Sequence, residues 1–301
     1  MTGFWALVKR NTRLFFKDKG MFITAMISPL ILLFLYATFL GQVYEDTFLS
    51  ALPEGMVLKD EIISALVGGQ LISSLLAVSC VTVSFCSNML SIQDKVTGAL
   101  RDLTVSPVKR GTLALSYYVS SAFSSLIVCL ITAGAGLLYL YSTGWYLSAS
   151  DVALLFCDVV LLVLFGTALS SVIHHFLSTD GQMSAVGTII SAGYGFLCGA
   201  YMPISQFNEG LRNVISLLPG TYGTGLVRNH ALGGVFEYMV EDGVPAEAVD
   251  WMRDGIDCNL YFFGESVSQG TMYIVLGAAI VALLGLLIVI NAMTARRRAK
   301  K

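Results

Sequence analysis

Apolar residues gather into six long blocks, residues 21–40, 62–90, 112–140, 152–173, 183–202 and 271–293, and only Asp158 puts a charge inside any of them. About 20 apolar residues in a helix cross the roughly 30 Å hydrocarbon layer of a bilayer, so the pattern predicts six membrane-spanning helices. The second block, 29 residues long, would measure about 44 Å as one straight helix and must tilt or project beyond the bilayer.

Two shorter stretches carry a helical period instead of a continuous apolar run. In residues 4–17, Phe4, Trp5, Leu7, Val8, Leu14, Phe15 and Phe16 fall on one side of a helical wheel, with Lys9, Arg10, Arg13 and Lys17 on the other. This predicts an interfacial amphipathic helix over residues 1–20, aromatic side toward lipid and cations toward anionic head groups or a partner; a plain basic flank of the first span is the alternative. Between the second and third blocks, Val96, Ala99, Leu100 and Leu103 cluster on one face, and Asp94, Lys95, Gly98, Arg101 and Asp102 on the other, before Ser106-Pro107-Val108 ends the pattern. A short helix over 94–105 is expected, seated by its apolar face and offering its charged face to a cytosolic protein.

Composition agrees with the blocks: 55% of the 301 residues are hydrophobic and 13% charged, with a mean hydropathy of +0.75. This is the composition of an integral membrane protein. The net charge of -2 hides an asymmetry, because fourteen Lys and Arg lie in the N-terminal segment, the 94–110 loop and the C-terminal tail, against four (Lys59, Arg212, Arg228, Arg253) in the other connections. Basic residues stay on the cytoplasmic side, which places both termini and the 94–105 helix in the cytoplasm and residues 203–270 outside. The basic leader followed by a 20-residue apolar run is too long for a cleaved signal, and the run is taken as a retained span.

Residues 203–270 open on short apolar pieces broken by Pro203, Pro219 and glycines, which suit re-entrant or interfacial helices. An acidic part follows, Glu237 to Glu265, with a short helix expected near residues 245–254, ended by Gly255. It is either a solvated acidic cap or a cation-attracting vestibule. Five of the six cysteines fall singly inside blocks and none has metal spacing, so they read as small packing residues.

Chemistry-bearing motifs are missing. The chain has no Gly-Lys pair, hence no phosphate-cradling G-x-x-x-x-G-K-[ST] loop, and no metal-ligand or hydrolytic constellation. No ATPase activity, no cofactor or metal and no nucleic-acid partner are expected of it. The adjacent His174 and His175 read as packing at a helix end. Asp158 either faces a pathway, meets a hydroxyl or amide partner, or lies near an interface. The polar residues of the second block either line a passage or tie helices together.

Against this background "DKVTGALRDLTVSPV", residues 94–108, resembles a motif of the ABC-2 family of ATP-binding-cassette permeases, through Asp94, Lys95, Gly98, Leu100, Leu103, Ser106 and Pro107, with Val96 and Arg101 standing where that family usually has glutamates. A second family-like stretch follows the fifth block: Pro203, Ile204, Phe207, Leu218, Pro219, Thr221, Tyr222 and Arg228. The resemblance covers nearly the whole chain. It implies an all-α integral membrane domain over 21–301, with six spans, a coupling helix at 94–105 (contacts through Asp94, Lys95, Gly98, Leu100, Arg101, Asp102, Leu103 and Pro107) and a re-entrant helical hairpin between spans five and six. It also implies partners: two cytosolic ATPase subunits that bind ATP and Mg, a second permease copy (the same chain or a different one), and the lipids of the plasma or inner membrane. A substrate route between copies would involve spans one, two and five, giving Phe34, Tyr36, Gln70, Ser73, Ser74, Thr82, Tyr194 and Phe196 as candidate lining, and Gly195-x-x-x-Gly199 as a close helix contact. The family exports drugs, antimicrobial peptides, lipids and lipid-linked polysaccharides. The lack of a large soluble domain favours a hydrophobic drug or peptide, with a glycan exporter, a passive channel or a membrane enzyme as alternatives.

Overall fold

The computed structural model describes residues 2–50, 52, 57–105 and 108–299. An amphipathic helix α1, Thr2–Lys17, lies first; Asp18 then caps α2, Lys19–Leu35, its carboxylate accepting from the Met21 amide at 3.1 Å. Pro29 sits inside α2, and the helix passes through a π turn, Tyr36–Leu40, into α3, Gly41–Ser50. The first span therefore continues ten residues past the end expected at Leu40, as one rod from Lys19 to Ser50.

Helix α4, Asp60–Asn88, begins with Asp60 and Glu61, whose charges suit the positive end of a helix dipole. It runs almost directly into α5, Leu90–Val96; Gly98, at φ +84°, then turns the chain into α6, Ala99–Val105. The long helices α7, Arg110–Thr143, and α8, Ala149–His175, follow, the latter started by a capping box in which Ser148 and Asp151 satisfy each other's backbone amides.

Five helices among the described residues, Lys19–Ser50, Asp60–Val96, Arg110–Thr143, Ala149–His175 and Gln269–Thr294, are long and apolar enough to cross a membrane. The block at 183–202 corresponds to α9, Asp180–Leu197, only 18 residues long with a polar start. At about 27 Å it is slightly shorter than the hydrocarbon layer.

Beyond α9 come α10, Glu209–Ile215, and α11, Pro219–Glu241. The expected short pieces are here mostly one 23-residue helix. Its glycines are contact points rather than breaks: Gly223 stands against Leu162, Gly225 against Leu260, and Gly234 against the Tyr146 carbonyl, at separations that leave no space for a side chain. Gly220 lies beside Phe165 and Tyr194, whereas Gly234 lies beside Tyr146, so α11 starts partway along α8 and climbs antiparallel to its N-terminal end.

Helix α12, Ala246–Gly255, sits where Pro245 and Gly255 place it. A two-stranded hairpin, β1 Leu260–Phe262 and β2 Glu265–Val267, departs from an all-α expectation. Its two-residue turn, Phe263 and Gly264, has φ positive at both positions, the turn that matches strand twist. Finally α13, Gln269–Ala299, closes the bundle against α8, α11 and α7.

The centre of the bundle is α4, which touches α2, α7, α8, α9 and α11. Every residue from Gly68 to Asn88 is buried. A helix enclosed on all sides needs no polar face, and here several hydroxyls answer to their own backbone, Ser79 donating to the Leu75 carbonyl at 2.6 Å and Thr82 to the Val78 carbonyl at 2.9 Å, while Ser87 reaches across to Ser125 of α7 at 2.7 Å.

Candidate functional site

The charged break in the sequence forms an elbow at one end of the bundle. A single helix over 94–105 would have placed Asp94 and Lys95 outward with Arg101 and Asp102. Gly98 instead ends one helix before the next begins, and the two charges of α5 turn into the protein.

Asp94 is buried. Its two carboxylate oxygens accept from Arg10 Nη1 at 2.6 Å and Nη2 at 2.9 Å, a fork-on-fork pair that draws in α1, and Tyr117 on α7 donates to it at 2.5 Å. The partnership with Asp94 raises the Arg10 guanidinium above its ordinary pKa. Lys95 Nζ donates to the carbonyls of His174, His175 and Leu177 at 2.9 Å, 3.1 Å and 2.9 Å, placing a cation at the C-terminal end of α8, toward which its carbonyl dipoles point. Neither group presents its charge to a partner, which corrects the expected charged face. Arg10, expected among the outward cations of α1, is likewise committed.

The remaining residues of the elbow divide more nearly as the wheel predicts. Leu100 and Leu103 pack on the core, while Arg101, Asp102, Thr104 and Val105 are exposed. Val96, placed on the seating face, is exposed, and Pro107 lies outside the described residues. Helix α1 docks on α7 and buries Leu7, Val8 and Phe15; Trp5 and Phe16 of its aromatic face stay exposed.

The proposed pathway residues do not form one lining. Gln70, Ser73, Ser74 and Thr82 on α4, Tyr36 in the π turn and Tyr194 on α9 are buried within this chain, whereas Phe34 and Phe196 point outward. Tyr36 stacks on Tyr44, ring centroids 5.5 Å apart. Their hydroxyls approach Ser74 and Gln70 without closing hydrogen bonds of standard geometry. The Gly195 and Gly199 pair serves its own turn: Gly195 lies under the Tyr201 ring, and Gly199, at φ +74°, lies against Ile204 and Asp257.

Asp158 has partners. Its Oδ2 lies 2.6 Å from His230 Nδ1 on α11, and its Oδ1 accepts from the Tyr273 hydroxyl at 2.7 Å on α13. Tyr273 stands four residues into α13, so this acid lies at the level where the last helix begins.

Nearby, Arg228 is 1% exposed, donates from Nη2 to the Gly199 carbonyl at 2.8 Å and faces Asp257 at 3.6 Å. Asp257 in turn accepts from the Ser205 amide at 3.1 Å and from that of Ile204. Burial raises the Asp257 carboxyl above its ordinary range against the opposing pull of Arg228, and burial pushes the adjacent Cys258 thiol up to about 12. This network joins the chain after α9 to α11 and to the segment after α12. Arg228 was visible in the sequence; its partner was not, because nothing in the chain marks Asp257 apart from its acidic neighbours. Arg10, Tyr117, His230 and Tyr273 were missed for the same reason, each being a common residue type 23 or more positions from its carboxylate.

Among the described residues no group of His, Cys, Asp and Glu could hold a metal ion. A family model described as ABC-2 type transporter matches residues 2–231, so α12, the β-hairpin and α13 lie beyond the match. No curated protein matches the chain.

Proposed function

The chain belongs to the ABC-2 type transporter family, and from that premise we propose that it is the permease subunit of an exporter powered by a separate ATPase that docks on α6. Family membership and the apolar helices make the chain a multi-pass transmembrane permease. Export of a hydrophobic or amphipathic substrate (a drug, antimicrobial peptide or lipid), two cytosolic ATPase copies, a second permease copy, cytoplasmic termini and a hairpin built from α10 and α11 complete the reading.

The observation that carries it is the division of labour at the elbow. Helix α6 stands exposed through Arg101, Asp102 and Thr104, and the segment just before it is held by Arg10, Tyr117 and the end of α8. A partner seated on α6 would act on α1, α7 and α8 together. Contact residues are then Arg101 and Asp102, with Leu100 and Leu103 seating the helix on the core, Asp94 and Lys95 as positioning residues and Gly98 as the joint between them.

Arg101→Glu tests this. It changes an exposed side chain, so insertion and membrane abundance should remain normal. Against an acidic pocket on the ATPase the reversal opposes docking, and transport and substrate-stimulated ATP hydrolysis should fall together by about tenfold or more. An acid-to-Lys change on the ATPase should restore part of both. Transport by Arg101→Glu at the unaltered rate would remove α6 from the coupling. Gly98→Trp is a poorer probe, because it adds backbone strain at φ +84° to the bulk. The purified chain alone should hydrolyse no ATP above background.

A further inference from the structure

Behind the elbow lies a cavity of about 620 Å³, walled by α5, α6, α7, the end of α8 and the last turns of α13. Three of its lining residues are cations, Lys95, Arg101 and Arg110, and no carboxylate is among its described lining residues. Lys95 holds the α8 carbonyls and adds its charge to the wall. Arg101 and Arg110 make no ion pair among the described residues.

His174 supplies an independent observation. It is 1% exposed, it lines this cavity, and neither ring nitrogen closes a hydrogen bond of standard geometry among the described residues, the Asn88 backbone being its polar neighbour. An imidazole packed edge-on against Phe85, in a wall that also carries Arg101 and Arg110, calls for a polar occupant, since a buried donor without an acceptor is costly.

The wall has a second character. Leu287 of α13 lines the cavity while Leu286, Ile288 and Val289 beside it are exposed on the outer face of the same helix. One wall of the cationic recess is thus the helix whose outer face lipid covers, and the chain continues past Thr294 into Arg296, Arg297 and Arg298.

We infer that this cavity binds the phosphate of an anionic phospholipid, with Arg110, Arg101 and His174 donating to the head group and the acyl chains lying along α13 beside Leu287. Basic recesses between membrane helices bind such head groups through charge-assisted hydrogen bonds. The inference concerns this chain alone and does not depend on the ATPase reading; loss of coupling in Arg101→Glu neither supports nor opposes it.

The test uses the full chain, purified in a neutral detergent and depleted of lipid. Phosphatidylglycerol, phosphatidylcholine and inorganic phosphate serve as probes, read by native mass spectrometry and by melting temperature. Phosphatidylglycerol should be retained as one molecule per chain and should raise the melting temperature at about a tenth of the phosphatidylcholine concentration. Arg110→Gln, at an exposed position, and His174→Gln should each weaken its retention several-fold, whereas Arg13→Gln on α1 should not. Equal retention of the two lipids would overturn the proposal, as would an equal loss in Arg13→Gln, which would make the effect one of general surface charge. Displacement of the lipid by inorganic phosphate at the same concentration would show the ligand to be a soluble phosphate, and the lipid assignment would fall.

Discussion

Helices α4 and α13 oppose each other in a way a water-soluble protein would reverse. The most apolar of the candidate spans is α13, yet only 11% of its most apolar stretch lies inside the protein, against 94% for the span containing α4. Helix α4 meanwhile carries Gln70, Ser73, Ser74, Ser79, Thr82, Ser84, Ser87 and Asn88, all buried. Hydrocarbon surrounds the bundle, so the outer helix is apolar because its solvent is. The inner helix is freed from that requirement and is selected for close approach and hydrogen bonding instead.

That contrast can be broken most severely on the outer face. Val281, 71% exposed, becomes a charge facing lipid in Val281→Asp, and a central charge in a spanning helix costs about 2.5 to 3.5 kcal/mol on insertion scales. The fraction of the chain resistant to alkaline extraction from membranes should drop sharply. Val281→Ala should leave it nearly unchanged; equal loss in both would mean that α13 is held by packing rather than by its solvent.

On the inner helix the sensitive quantity is space. A methyl on Gly69 would come within 2.5 Å of Leu232 and 3.1 Å of the Ala231 carbonyl, so Gly69→Ala should cost about 1 to 3 kcal/mol. A lowered melting temperature in detergent, without loss of insertion, would sharpen the division between lipid-facing and protein-facing constraints.

The smallest effects separate two kinds of buried polar residue. Asn88 Nδ2 donates to Ser170 and Ser171 at 3.1 Å and 3.0 Å, joining α4 to α8. Asn88→Leu should lower stability by about 0.6 to 1.7 kcal/mol, the range of interhelical bonds in membranes. Among the described residues Ser79 bonds only within its own helix, and Ser79→Ala should stay within about 0.5 kcal/mol of the unaltered chain. Similar shifts for the two, measured in the same melting assay, would show that polarity itself rather than the partner carries the effect.

What the sequence could reveal follows from this division. Residues that face lipid or end a helix act locally, and α12 between Pro245 and Gly255 and five of the apolar blocks were legible. Residues that face other helices act through partners, and a helical wheel cannot tell the two apart. Asp94 shows the cost: on a wheel drawn across Gly98 it shares a face with Arg101, but the turn at Gly98 sends one inward to Arg10 and leaves the other outside. Helix α11 shows the converse, since glycines that looked like interruptions are the places where Leu162, Leu260 and Tyr146 come close.

The hydroxyl of Tyr273 on Asp158 takes on another meaning once α13 is seen as a smooth apolar rod. Aliphatic side chains in contact specify a face well but a longitudinal position poorly, for sliding by one turn, about 5.4 Å, exchanges one leucine for another. A directional bond of 2.7 Å tolerates no such exchange. Asp158, itself fixed by His230, therefore works as an index pin: it sets how high the last helix rides beside α8, and with it where the segment leading from the β-hairpin enters the bilayer.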